Sequence, residues 1–230
     1  MIMSVFLKSN RIRTNIRVGK KKIAYSVLLS SIFGFTLGFV AKILDSPIIP
    51  NEISILGYIG SNWGIWIFIS TLIAVYSYTP KIAATCVFIF LISLLFSYYT
   101  YTLLFLELFP LKYIIFWCIL ALLSTIPACI MWFSHANHLI SSIITALPIA
   151  VIAFEGYKIY LSTVEYYEKS RQYENVLVSD GNYFYMLGTE IVYALMIIII
   201  LLLVPKRKKQ CLFIIPFSVV GFTTLVSIIL

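Results

Sequence analysis

An all-α, polytopic transmembrane helix bundle of about seven spans is the fold class this sequence predicts, and three observations predict it. Of 230 residues, 61% are hydrophobic and only 11% charged, with a mean hydropathy of +1.00, whereas soluble domains carry roughly 25% charged residues. So little charge cannot cover a water-exposed surface. The apolar residues fall in long uncharged runs, as segments suited to hydrocarbon do. Drawn as spans, those runs sort acids and bases onto opposite sides.

The chain opens on a basic segment, residues 1–22, with seven cations (Lys8, Arg11, Arg13, Arg17, Lys20, Lys21, Lys22) and no acid. It suits the anionic lipids of a cytoplasmic leaflet. Residues 23–41 are 19 uncharged positions, longer than a signal-peptide core and without a clean small-x-small cleavage site, so they read as an uncleaved first span. Further runs follow at 62–80, 82–106, 113–134, 139–154, 191–204 and 210–230, completing the bundle over residues 23–230. A crossing helix needs about 20 residues. The fifth run is therefore expected to extend through Tyr157 and Tyr160 to Leu161, and the sixth to begin near Tyr183 or Tyr185. That draws Glu155, Lys158 and Glu190 towards the membrane.

With seven spans, the N-terminal side carries the seven cations above, Lys81, and Lys206, Arg207, Lys208 and Lys209, with no acid. The other side carries Lys42, Lys112, Lys158, Lys169 and Arg171 together with all nine acids. Cationic loops stay in the cytoplasm, so the expected topology puts the N-terminus inside and the C-terminus outside. Outside the first span, Pro47 and Pro50 break the chain, and residues 53–60 read as a short interfacial helix. Trp63 and Trp66 then anchor the second span at headgroup level. The longest outer loop is expected at about 162–182. Its Asp180-Gly181 pair, between β-prone runs, is a hairpin signal, and the alternative is that the fifth helix continues through Tyr173. Pro127 and Pro148 should kink the fourth and fifth spans.

Ionisable residues within spans are costly and are by default candidate sites. Glu155 and Lys158 share a helix face and are placed to pair, and Glu190 joins them from the next span. Lys42 and Asp45 close the first span. The outer half of the third span holds Ser97-Tyr98-Tyr99-Thr100-Tyr101-Thr102, in which Tyr98 and Tyr101 share a face able to line a pocket. The expected ligand-binding set is Glu155, Lys158, Glu190, Tyr98, Tyr101 and Lys42, facing outward between spans one, three, five and six. Gly34-x-x-x-Gly38 is a helix-packing motif, and secondarily a docking face for a membrane partner or a second copy. His135 and His138 read as residues of a solvated inner loop. Cys86, Cys118, Cys129 and Cys211 have no metal-type or redox-type spacing and read as small apolar residues. No hydrolase, metalloprotease or phosphate-loop signature is present, so no catalytic residue, metal or cofactor is expected. The basic charge belongs beside lipid rather than nucleic acid.

Gly34-x-x-x-Gly38, Leu56-Gly-x-x-Gly60, Trp63-Gly-x-Trp66, Tyr98-Tyr99-x-Tyr101, Phe109-Pro-Leu-Lys-Tyr113, Phe116-Trp117, Ala121-Leu-Leu-Ser124 and Trp132 together resemble a group of small bacterial multi-spanning membrane proteins of unassigned function, over roughly residues 33–160. That resemblance implies a multi-pass protein of a bacterial cytoplasmic membrane and carries no activity. Size and helix count also resemble, superficially, the substrate-capturing subunits of energy-coupling-factor vitamin transporters, from which the seventh span and exterior C-terminus depart. The expected function is solute binding related to transport. The alternatives are a non-transporting interaction, sensor or immunity protein and, third, an enzyme of lipid head groups.

Overall fold

In hydrocarbon a backbone must satisfy its own N–H and C=O groups, so apolar runs of this kind close into helices. The computed structural model describes residues 18–45, 54–106, 110–136, 139–172, 180–206 and 208–229. The cations before Val18, the prolines at 47 and 50, Glu107, His138, Arg207 and the β-prone run 176–179 lie outside the described residues. The order is α1 (Lys20–Leu44), α2 (Ser54–Ser61), α3 (Trp63–Tyr76), α4 (Pro80–Leu106), α5 (Leu111–Leu123), α6 (Thr125–Met131), α7 (Leu139–Gln172), α8 (Asp180–Leu203) and α9 (Cys211–Ile229). Single 3-10 turns lie at Trp132–His135 and Lys208–Gln210, and no strand occurs among the described residues.

Five stretches are long and apolar enough to cross a membrane: Lys20–Leu44, Pro80–Phe105, Leu111–His135, Leu139–Glu165 and Cys211–Ile229. Two shorter apolar helical stretches, Trp63–Tyr76 and Gly188–Leu203, stand where the second and sixth spans are expected. In α3 the shortfall has a local cause. The helix has 14 residues, about 21 Å at ~1.5 Å per residue, because Ser77 turns extended at ψ 155° and Pro80 disfavours helix in the residue before it. Thr79 and Pro80 then start α4 as cap and first residue: Thr79 Oγ1 accepts the Ile82 N–H at 3.2 Å, and proline's missing N–H costs nothing there.

The stretch Leu111–His135 is interrupted at Ser124, which keeps helical dihedrals (φ −62°, ψ −16°), so the division is a local irregularity within one helical stretch. Pro127 has no N–H to give Leu123 and crowds its carbonyl, and the helix divides at Ser124 into α5 and α6. Pro148 by contrast sits inside an unbroken α7 of 34 residues. The loop expected at 162–182 is mostly helix. α7 runs to Gln172 and α8 starts at Asp180, so Asp180-Gly181 opens a helix instead of turning a hairpin.

α7 is the central helix, with 61% of its most apolar window buried, whereas α1 and α9 bury 22% and 11% of theirs. The latter two therefore turn most of their apolar side chains outward. α1 packs along α4, where Gly34 meets the Phe90 backbone and Gly38 meets the Leu94 backbone and Ser97. Ser31 and Ser93 hydroxyls join the same two helices at 2.9 Å. Close approach through small residues and a few hydroxyl contacts holds helices together where hydrophobicity gives no net drive.

Polar ties gather at the end of the bundle that carries the α3–α4 turn. Trp132 Nε1 donates to the Ser77 carbonyl at 2.9 Å and Tyr76 Oη to Leu203 O at 2.9 Å. Gln210 Nε2 reaches Ala136 O and Ser141 Oγ at 2.7 and 2.9 Å. His135 belongs to this set and is not a solvated loop residue. Its Nδ1 lies 2.8 Å from Val204 O, and since a carbonyl only accepts, Nδ1 carries the proton.

Candidate functional site

At the opposite end, the chain leaves α2 and enters α3 through one extended residue, Asn62 (φ −93°, ψ 158°). Its Nδ2 donates back to Tyr58 O at 2.7 Å, and Trp66 Nε1 donates to the Gly60 carbonyl at 2.9 Å. The break leaves α3 starting with unused backbone N–H groups and the positive end of its dipole. Glu155 of α7 answers both, its Oε1 accepting the Trp63 N–H at 2.7 Å. Helix breaks of this kind create ion and ligand sites in membrane proteins.

Gly64, one residue on, lets this happen. A Cβ there would lie 2.7 Å from Glu155 Oε2 and 2.7 Å from Tyr193 Cε1 of α8. Gly156 of α7 faces the other end of the same phenol, 3.4 Å from Tyr193 Cδ1 and 3.4 Å from Glu190 Oε2. Tyr193 thus lies between two glycines, with Glu155 by its tip and Glu190 by its base.

A second cluster sits on the α2 side of the break. Lys42 Nζ, at the end of α1 and 9% exposed, pairs with Asp45 Oδ2 at 3.0 Å. It also lies 4.8 Å from the Tyr98 ring centroid. Tyr98 Oη donates to Asp45 Oδ2 at 2.9 Å and Ser61 Oγ to Asp45 Oδ1 at 3.2 Å. Adjacent ends of the break are therefore tied separately: Ser61 to Lys42–Asp45–Tyr98, and Trp63 to Glu155.

Between α3, α4, α5 and α6 lies a cavity of about 520 Å³. Ser61 and Tyr98 stand in its wall, as do Trp63, Trp66 and Trp117, three of the four tryptophans of the chain. Trp63 and Trp117 meet edge to face at 5.3 Å. Ser124 and Pro127, where the fourth stretch divides, also line it, so the break in that helix forms part of the wall. Its lining includes no acid or base, and Lys42 and Asp45, beside lining residues Ser61 and Tyr98, neutralise each other.

The candidate residues separate into four places. Lys42 and Tyr98 come together, and Tyr98 alone of the six lines the cavity. Glu155 and Glu190 meet beside Tyr193. Lys158 is exposed and forms no ion pair with Glu155 among the described residues, although its charge acts on that carboxylate. Tyr101 packs on Phe39 of α1 at 5.5 Å and stacks on Phe105 at 4.5 Å, away from the cavity. The Gly34/Gly38 face is occupied by α4. Tyr193 and the tryptophan wall were not singled out as site residues from sequence, although Trp63-Gly-x-Trp66 and Phe116-Trp117 were visible as motifs. No family model matches the chain, and neither a curated protein nor a solved structure is similar to it.

Proposed function

We propose that this is a multi-pass membrane protein, crossing a bacterial cytoplasmic membrane seven times with its N-terminus inside, that binds a small neutral solute as part of transport. The cavity carries the reading. Its volume of about 520 Å³ falls in the range of small-molecule pockets, roughly 300–1,000 Å³, and indole and phenol faces suit apolar or aromatic guests. An ion would enter without a counter-charge, at a cost of several kcal/mol, of order the effective desolvation penalty of one charge. Ser61 and Tyr98, with Ser70, Thr71 and Ser124 elsewhere in the wall, supply hydroxyls, so the fitting solute is mostly apolar with a few neutral polar groups. The sorted loop charges support the orientation.

The tryptophans report directly on occupancy. In lipid nanodiscs, a neutral brominated aromatic alcohol should quench their fluorescence saturably. Ala121→Phe, which fills the cavity from a position 3% exposed, should leave only the shallow linear quenching of probe dissolved in lipid. Identical curves for both proteins would reject a binding cavity here.

A further inference from the structure

Where α3, α7 and α8 meet, three oxygens shut off from solvent make no well-formed hydrogen bond, Glu155 Oε2, Glu190 Oε1 and Tyr193 Oη, although the Tyr193 hydroxyl is close enough to act on the Glu155 carboxylate. They belong to the one cluster built around Gly64 and Gly156, and Tyr193 itself is 2% exposed. Native interiors leave few such atoms unsatisfied, and three together, two of them carboxylate oxygens, mark a place built to take something. The two acids are not equivalent. Glu155 accepts the Trp63 N–H and sits at the positive end of α3, an arrangement that favours its anion. Glu190 Oε1 receives no such hydrogen bond among the described residues.

The surrounding charges are few. Lys158 stands exposed on α7, Tyr58 lies on α2 and Tyr193 on α8, and neither α3 nor α9 contains an acid or a base. Lys158 acts on Glu155 from the exposed side of α7, and among the described residues no cation pairs with Glu190, so its buried, unpartnered carboxylate is costly as an anion and a bound proton removes that cost. A carboxylate only accepts, whereas a carboxylic acid also donates, so a proton on Glu190 gives that residue a donor of its own. A structural metal wants at least about four ligands, and no group of three or more His, Cys, Asp or Glu able to hold one occurs among the described residues.

We propose that Glu155, Glu190 and Tyr193 form a proton-binding site at the break between α2 and α3. Glu155 stays anionic against the helix N-terminus, and Glu190 takes a proton from water and returns it. The site stands on geometry apart from the aromatic cavity. Because Trp63 both donates its backbone N–H to Glu155 and lines the cavity with its ring, the proton is placed to bias the cavity wall.

Infrared difference spectroscopy of the full chain in nanodiscs, stepped from alkaline to acid pH, tests this. Wild type should gain a carboxylic C=O band that Glu190→Gln removes. Tyr193→Phe, which keeps the ring between the two glycines and removes only the hydroxyl beside Glu155, should keep the band. A band untouched by Glu190→Gln overturns the proposal, as does loss of the band in Tyr193→Phe, which leaves Glu190 in place. Displacement of the band by sodium at constant pH overturns it in favour of a metal-ion site. Quenching by the brominated alcohol, measured on the same samples, fails or succeeds independently.

Discussion

Glycine at position 64 is the residue on which the break depends, and it can be set against a glycine that matters less. A methyl group at Gly64 would press on the Glu155 carboxylate and the Tyr193 ring at 2.7 Å, whereas at Gly156 the nearest atoms are at 3.4 Å. Gly64→Ala should therefore cost about 1–3 kcal/mol through overpacking, while Gly156→Ala should be close to neutral, its crowding offset by helix propensity of up to ~1 kcal/mol. Thermal unfolding in detergent should show a clear fall in Tm for the first and little for the second; equal falls would contradict the geometry. Lys42 and Asp45 permit a double-mutant cycle. Lys42→Met leaves Asp45 with only the Tyr98 and Ser61 donors, so the double variant Lys42→Met/Asp45→Asn should be less destabilised than the two single changes combined, by about 1 kcal/mol. Additive losses would mean the pair is idle.

Among the elements, the divided fourth stretch links helix chemistry to the cavity. Pro127 removes one backbone hydrogen bond, and the chain responds at Ser124, whose Oγ turns back to Ala121 O at 2.6 Å. Pro127→Ala restores the missing donor and should let α5 and α6 join. A straighter helix raises Tm but withdraws Ser124 and its neighbours from their place in the wall, so quenching by the neutral probe should weaken at the same time. A rise in Tm with unchanged quenching would show the break to be irrelevant to the cavity. The two prolines also show the limit of reading kinks from sequence. Proline lowers the cost of a break without requiring one, and Pro148 lies within the unbroken, heavily buried α7. The same limit applies to Tyr98 and Tyr101. Spacing puts them on one face, but which neighbour covers each half of that face is a tertiary matter, and α1 takes Tyr101 while Asp45 takes Tyr98.

For the molecule as a whole, the helical class and the positions of the long apolar stretches were legible because hydrocarbon imposes its rule residue by residue, whatever the helices pack against. The site was legible in its charged members, since Lys42, Glu155 and Glu190 stand out in apolar surroundings. It was not legible in its arrangement: Glu155 meets the start of α3, 92 residues away, and no local pattern encodes that meeting. Topology stands between these cases, being a property of the whole chain that rests on local charge. Twelve cations and no acid lie on the N-terminal side of a seven-span arrangement, and all nine acids on the other. Moving α9 to the opposite sense would require α3 or α8, the two shorter apolar helices, to stop short of crossing. Alkaline phosphatase fused after Leu230 should be active and a green fluorescent protein at the same point dark. The reverse pattern would require an even number of crossings. A second pair of fusions after Lys81 then identifies the failing helix: a cytoplasmic Lys81 assigns the failure to a helix after α3, and an exterior one assigns it to α3 itself, whose ~21 Å falls short of the ~30 Å hydrocarbon layer.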